Sequence, residues 1–220
     1  MSPPDVLDEL IGTLATAMSD VRALLDDLAH EAATHDAVEV LVRRELSRPG
    51  SIVLGAGVIR AGGRADSLWW WWRRGTVTSE LLVALEPTSL TFYDVEHQPW
   101  FLEPLQSGTL NLVGPYLDRS GTNLMVVTVS RPAPGAPAGI VGADLSLDAI
   151  FRLLVATPAG RQLPWVLENL EGRVIASADP AITVGERDVG PWRIQRACPM
   201  LPWRVVVRAS AAASDSFASG

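Results

Sequence analysis

The chain contains no lysine. All 18 basic residues are arginine, set against 25 acidic ones, and the formal net charge is -7. The densest basic group, Arg43, Arg44 and Arg48, has Glu45 among it and reads as a solvated helix face. Neutralising a phosphate backbone needs clustered cations, so no nucleic-acid partner is expected. A single cysteine, Cys198, excludes an internal disulfide. It sits between Ala197 and Pro199 with no neighbouring base, and reads as a small buried hydrophobe rather than a reactive thiol. Only three histidines occur. His30 and His35 are not at a same-face helical spacing, no Cys or carboxylate motif completes them, and His97 reads as a surface residue beside Glu96. No metal and no cofactor are therefore expected. Long apolar runs are missing as well. Nothing approaches the roughly 20 residues that span a bilayer, and the opening Met1-Ser2-Pro3-Pro4-Asp5 lacks the basic and apolar regions of a signal peptide. On these grounds the sequence predicts a cytoplasmic protein without a membrane partner.

Signatures of catalysis are absent too. There is no Gly-x-Ser-x-Gly, no phosphate-cradling Gly-x4-Gly-Lys-Ser/Thr, and no paired histidine with glutamate. Gly55-x-Gly57 lacks the third glycine and the following helix of a dinucleotide fingerprint. Asp94 and Glu96 can share a strand face, but nothing in the sequence raises either pKa, and a solvated turn explains them.

What is present suits an ordinary globular fold: 48% hydrophobic and 20% charged residues over 220 positions. That length fits one large domain, or one domain with a small second module. Residues 4–34 predict a long amphipathic helix, with Pro4 in the first turn and Asp5, Asp8 and Glu9 at the positive end of its dipole. Leu7, Leu14, Val21 and Leu28 recur every seven residues, with Leu10, Ala17 and Leu24 between them. Such a stripe either packs on its own domain or forms a homodimer seam with a second copy. A second helix over 36–47 stops at Pro49-Gly50. Strand character then appears at 51–60, 67–74 and 80–85, Pro87-Thr88 precedes 90–93, and a short helix is read at 99–106. Strands follow at 111–117, 124–131 and 138–145, and a helix at 146–154 begins with Ser146 as cap. Turns are read at Ala61-Gly62-Gly63, over 118–123 and in the Pro/Gly-rich loop 132–137. Beyond Thr157-Pro158-Ala159-Gly160 come four short strands, at 165–169, 173–177, 190–196 and 203–208. Strands do not alternate with crossover helices, which predicts an α+β fold with an antiparallel sheet.

The run Trp69-Trp70-Trp71-Trp72 stands out. On a strand, Trp70 and Trp72 share one face and Trp69 and Trp71 the other, so one pair can line a pocket while the other packs into core or interface. The pattern does not say which. Asp144 follows an apolar strand, where a carboxylate needs a partner; it contacts either a ligand or the start of the next helix. Asp118 lies in a turn, where aspartate also serves local hydrogen bonding. Tyr93 and Tyr116, the only tyrosines, either place a hydroxyl in an apolar pocket or serve as core rings with a satisfied tip.

Three stretches together resemble the Cache family of PAS-like small-molecule sensor domains. They are Phe92-Tyr93-Asp94-Val95-Glu96-His97-Gln98-Pro99-Trp100-Phe101, then Gly114-Pro115-Tyr116-Leu117-Asp118 with Ser120-Gly121, and Gly139-Ile140-Val141-Gly142-Ala143-Asp144-Leu145-Ser146-Leu147. Val53–Ile59 is similar to the family's first core strand, and 166–177 to the hairpin of the second module in double-Cache domains. The resemblance implies a PAS-like antiparallel sheet with a long N-terminal helix and a small C-terminal strand-rich module. The expected layout is N-terminal helices at 1–48, a ligand-binding module at 49–156, a truncated second module at 157–210 and a disordered tail at 211–220. It also implies a sensory domain that binds a small metabolite without turnover, through Trp70, Trp72, Tyr93, Trp100, Phe101, Tyr116, Asp118 and Asp144, and that signals to a separate regulator. In the family's amino-acid-binding members an arginine two positions before the Pro-Trp tryptophan helps hold the ligand carboxylate; here that position is Gln98. Without that bidentate clamp, the acids and rings suit an amine or quaternary ammonium. The competing readings are an enzyme acting on a small cationic metabolite and a structural dimerisation module.

Overall fold

The computed structural model describes residues 1–61, 65–90, 92–119, 122–135, 139–188 and 190–208. Two sequence readings, the Gly62-Gly63 turn and the 211–220 tail, lie outside the described residues, as do Ser120, Gly121 and the end of the 132–137 loop. The chain forms two compact units, one of residues Ala17–Ala149 and one of Met1–Thr16 with Ile150–Gly220.

The elements follow hydrophobic pattern closely. Helix α1 spans Pro3–Glu31 and α2 spans His35–Ser47. The larger unit then holds β1 (Val53–Ala61), β2 (Ala65–Arg74), β3 (Val77–Glu80), α3 (Pro99–Ser107), β4 (Asn111–Leu117), β5 (Met125–Ala133) and β6 (Gly139–Ser146). Its six strands pair antiparallel throughout in the order β3-β2-β1-β6-β5-β4. Both faces of the central strands are covered. Val53, Ala56, Val58 and Ile59 in β1, and Ile140, Val141, Ala143 and Leu145 in β6, are all buried, as expected of strands with helices or loops on either side. Helix α2 packs on β1 and β2, and α3 packs on β4, β5 and β6.

The smaller unit carries a four-stranded antiparallel sheet, ordered β8-β7-β10-β9, from β7 (Trp165–Asn169), β8 (Val174–Ser177), β9 (Trp192–Ala197) and β10 (Trp203–Arg208). Helix α4 spans Leu147–Val155. Ser146 caps it by accepting the Ala149 N–H at 3.1 Å. Trp165 and Trp203 are fully buried, and the Trp165 indole donates to the Gly160 carbonyl at 3.0 Å. Glu168, wholly buried, receives the Arg204 guanidinium at 2.5 Å. Cys198 is buried, which pushes its thiol up to about 12.

One expectation changes. Residues 81–85 are not a strand. The edge strand is Val77–Glu80, folded back on Trp71–Arg74 through a turn at Gly75, whose φ of +61° favours glycine. Of the two uses open to the heptad stripe of α1, packing within the chain accounts for its apolar positions. Leu7, Leu10 and Leu14 are buried in the smaller unit, and Met18, Val21, Leu24, Leu25 and Leu28 in the larger. The apolar positions are spent on the chain's own core.

Candidate functional site

The register of the large sheet builds a recess on one face. Gly55 pairs with Trp72 and with Asp144, and Asp144 pairs with Thr128. One row across the sheet therefore reads Trp72, Gly55, Asp144, Thr128. The next row reads Trp70, Gly57, Gly142, Ser130. Side chains in one row lie on the same face, so three glycines leave the middle of that face bare. The Trp70 ring lies across them. A Cβ built at Gly55 would stand 2.9 Å from the Trp70 indole nitrogen, and one at Gly142 would stand 3.2 Å from the far edge of its six-membered ring.

Around this recess Trp70, Trp72, Tyr93, Trp100, Tyr116, Asp118 and Asp144 line one small cavity of about 30 Å³. These are seven of the eight sequence-predicted site residues. Phe101 does not line it. Its ring packs edge-on to Trp100, 6.4 Å between centroids, in the buried cluster behind the wall. On a helix, consecutive residues point in different directions, and Trp100 takes the cavity side. Ser130 fixes that end of α3 by donating its hydroxyl to the Trp100 carbonyl at 2.6 Å. The other tryptophan pair faces away: Trp69 and Trp71 pack against His35 of α2, with ring centroids 5.6 and 5.1 Å apart. The same lining includes residues that pattern reading missed: Ile59, Leu68, Leu81, Thr122 and Thr128. Thr128 sits in the run Val126-Val127-Thr128-Val129, where a β-branched residue attracts no notice.

Asp144 forms the floor. It is not the cap of α4, a role Ser146 fills. Its Oδ1 accepts the Thr128 hydroxyl at 2.6 Å, and the Trp70 indole also hydrogen-bonds to it. Burial pushes the carboxyl up to about 7, opposed by the Thr128 and Trp70 hydrogen bonds and reinforced by the charge of Asp118. Tyr116 contacts the Thr128 hydroxyl at 2.5 Å. Burial, with the Asp144 charge behind it, holds the Tyr116 phenol well above the usual tyrosine range. Asp118 accepts the Thr122 backbone N–H at 2.8 Å and its hydroxyl at 3.0 Å, which ties down the turn after β4. No arginine or histidine lines the cavity among the described residues. Arg74 lies over the Trp72 ring at 4.9 Å without lining it. Gln98 is turned away and gives its amide to the Asp94 carbonyl at 2.9 Å. His97 is exposed and pairs with Asp94 at 2.8 Å, which raises its pKa. Among the described residues no cluster of His, Cys, Asp and Glu could hold a metal ion.

A mixed α+β module whose sheet face opens into such a cavity has the architecture of PAS-like sensor domains. Residues 71–152 match the family described as the first PDC sensor domain of methyl-accepting chemotaxis protein-like proteins. The chain is 28% identical over 89 residues to the methyl-accepting chemotaxis protein PctB of Pseudomonas aeruginosa, covering 40% of this chain and 14% of PctB. The chain thus spans only a small part of that relative. Among solved structures it is similar to the PctB ligand-binding domain in complex with L-Arg (TM-score 0.64, 16% identity, 98% of this chain and 96% of that one). It is also similar to the Campylobacter jejuni Tlp3 domain with L-valine (TM-score 0.63, 14% identity, 94% and 91%). A third is the extracellular domain of the putative histidine kinase soHK1S-Z6 (TM-score 0.62, 14% identity, 93% and 89%). Residues 71–152 are thus PDC-like, and the proteins the chain is similar to are small-molecule sensor domains rather than enzymes.

One expectation is overturned by these relatives. They are a chemotaxis receptor and the extracellular domain of a histidine kinase, which point away from the cytoplasm. The lack of a signal peptide or apolar span had supported the opposite conclusion. Among the described residues no helix is long and apolar enough to cross a membrane.

Proposed function

We propose that this domain binds a small cationic metabolite, an amine or a quaternary ammonium compound, in the cavity of the larger unit, and passes the signal to a separate downstream component. The observation that carries the reading is the composition of the wall. Two carboxylates and five aromatic rings face one space, and no arginine or histidine faces it among the described residues. Aromatic faces attract a cation, and a carboxylate supplies its counter-charge. The contacts assigned to the ligand are Trp70, Trp72, Tyr93, Trp100, Tyr116, Asp118 and Asp144.

The related structures hold amino acids: L-Arg in PctB, L-valine in Tlp3. Those ligands share an ammonium group, which an acidic floor suits. Their carboxylate wants a bidentate cation, and the position where the resemblance leads one to expect arginine is Gln98, already hydrogen-bonded to the backbone. The ammonium half of the recognition is retained and the carboxylate half is not. The similarity to the PctB domain over 98% of this chain supports reading the four-stranded unit as the second, reduced module of a double-Cache arrangement.

Matched pairs test the reading by calorimetry and thermal shift: isobutylamine against L-valine, agmatine against L-arginine, with choline as the quaternary probe. The amines and choline are expected to bind and to raise the melting temperature, and the amino acids to bind at least tenfold more weakly. Binding of the amino acids with no response to any amine would overturn it.

A further inference from the structure

The recess contains a hydrogen-bonded chain that no ligand-site reading of the sequence includes. Thr128 is 1% exposed, at the middle of β5, with Val113 on one side of its row and Asp144 on the other. Its hydroxyl has one hydrogen. An ionised carboxylate only accepts, so that hydrogen goes to Asp144 at 2.6 Å. The Thr128 oxygen must then accept from the Tyr116 hydroxyl at 2.5 Å. While Asp144 is ionised, every donor in the chain points inward to it. With the Thr128 hydrogen committed there, what this part of the floor offers a ligand is carboxylate acceptor.

Resting on the cation-binding reading above, we propose that Thr128 is a positioning residue that sets charge selectivity: its hydroxyl holds Asp144 in the ionised form that a ligand cation requires. The groups facing Asp144 support this. From β4 and the turn after it come Tyr116 and Asp118, and from the segment after β3 comes Tyr93. From β2 come Trp70 and Trp72, the latter beneath Arg74, and from α3 comes Trp100. Asp118 opposes the ionised form. The hydrogen bonds that favour it come from Thr128 and Trp70. Removing one hydrogen bond to a charged group moves an ionisation by about one pH unit or more.

Choline keeps its charge at every pH, so any pH dependence of its binding belongs to the protein. Its affinity, measured by calorimetry from pH 5.5 to 8.5, is expected to rise about tenfold per pH unit below a midpoint near neutrality and to level off above it. Thr128→Val, close in shape, is expected to move that midpoint up by about one pH unit. Thr128→Ser restores it, and Tyr116→Phe shifts it less and in the same direction. A midpoint unmoved in Thr128→Val and Tyr116→Phe, with choline still bound, overturns the role of Thr128 alone. No binding of choline, isobutylamine or agmatine to the wild type at any pH overturns the cation reading and this inference with it.

Discussion

Replacing Asp144 by asparagine should make the unliganded protein more stable while destroying its binding. An unfolded aspartate ionises near 3.8, and in the fold burial holds this carboxyl up to about 7. Between those two pH values the unfolded chain loses the proton first, so stability falls as pH rises, and the loss is complete above about 7. At about 1.4 kcal/mol per pH unit, the difference amounts to a ceiling of about 4 kcal/mol. Asparagine has no proton to lose and nearly the same shape, so Asp144→Asn escapes that penalty. For a chain of this length each kcal/mol is worth about 2–4 °C. At pH 8 the variant should therefore melt up to about 8–16 °C above the wild type, and at pH 4 the two should nearly coincide. Circular-dichroism melts of both proteins at the two pH values provide the measurement, and the difference between variant and wild type isolates this one group. A gap that is the same at pH 4 and pH 8, or that has the wild type more stable at pH 8, would refute the claim that the floor is a strained, desolvated acid.

Other substitutions test the surroundings. Gly57→Ala places a Cβ 2.0 Å from the Trp69 carbonyl and 2.8 Å from the Trp70 Cα, backbone that cannot yield. It should cost about 3 kcal/mol in urea unfolding, the upper end of the usual overpacking range, and a wild-type midpoint would contradict the packed register. Arg204→Met leaves Glu168 buried without its cation, which should cost about 3–5 kcal/mol at neutral pH. Burial already raises the Glu168 carboxyl, so that loss should shrink as pH falls and the acid takes up a proton; urea titrations at pH 5 and pH 8 that give equal losses would exclude the mechanism.

Much of the fold was legible in residue pattern, and the reasons for the exceptions are physical. The long helix, the apolar strands of the large sheet and the Ser146 cap follow from periodicity and local chemistry, and structure and sequence agree there. The use of the helix stripe was not legible, because Leu7 or Leu28 reads the same whether it meets its own sheet or a second copy. The edge strand reads at 80–85 rather than at Val77–Glu80, since the leucines there resemble a strand more. In the site, single residues with unusual chemistry such as Asp144 and Trp100 announced themselves. Thr128 and the paired Gly55 and Gly57 did not. Their role depends on cross-strand register, which no single strand carries. Gly55-x-Gly57 lacks the rest of a nucleotide motif, and its missing side chains are what seat Trp70.

The bare strip beneath Trp70 also governs how such a receptor can be retuned. The indole rests on peptide backbone, so the depth of the hollow is fixed by hydrogens standing where methyl groups would otherwise be. At Gly142 an added methyl would press on the rim of the Trp70 ring and on the Val129 carbonyl oxygen, each 3.2 Å away. One carbon there would tilt the platform and narrow the chamber without touching an acid or altering its charge. Ligand size and ligand charge are thus set by separate positions on the same sheet, and one can drift while the other holds.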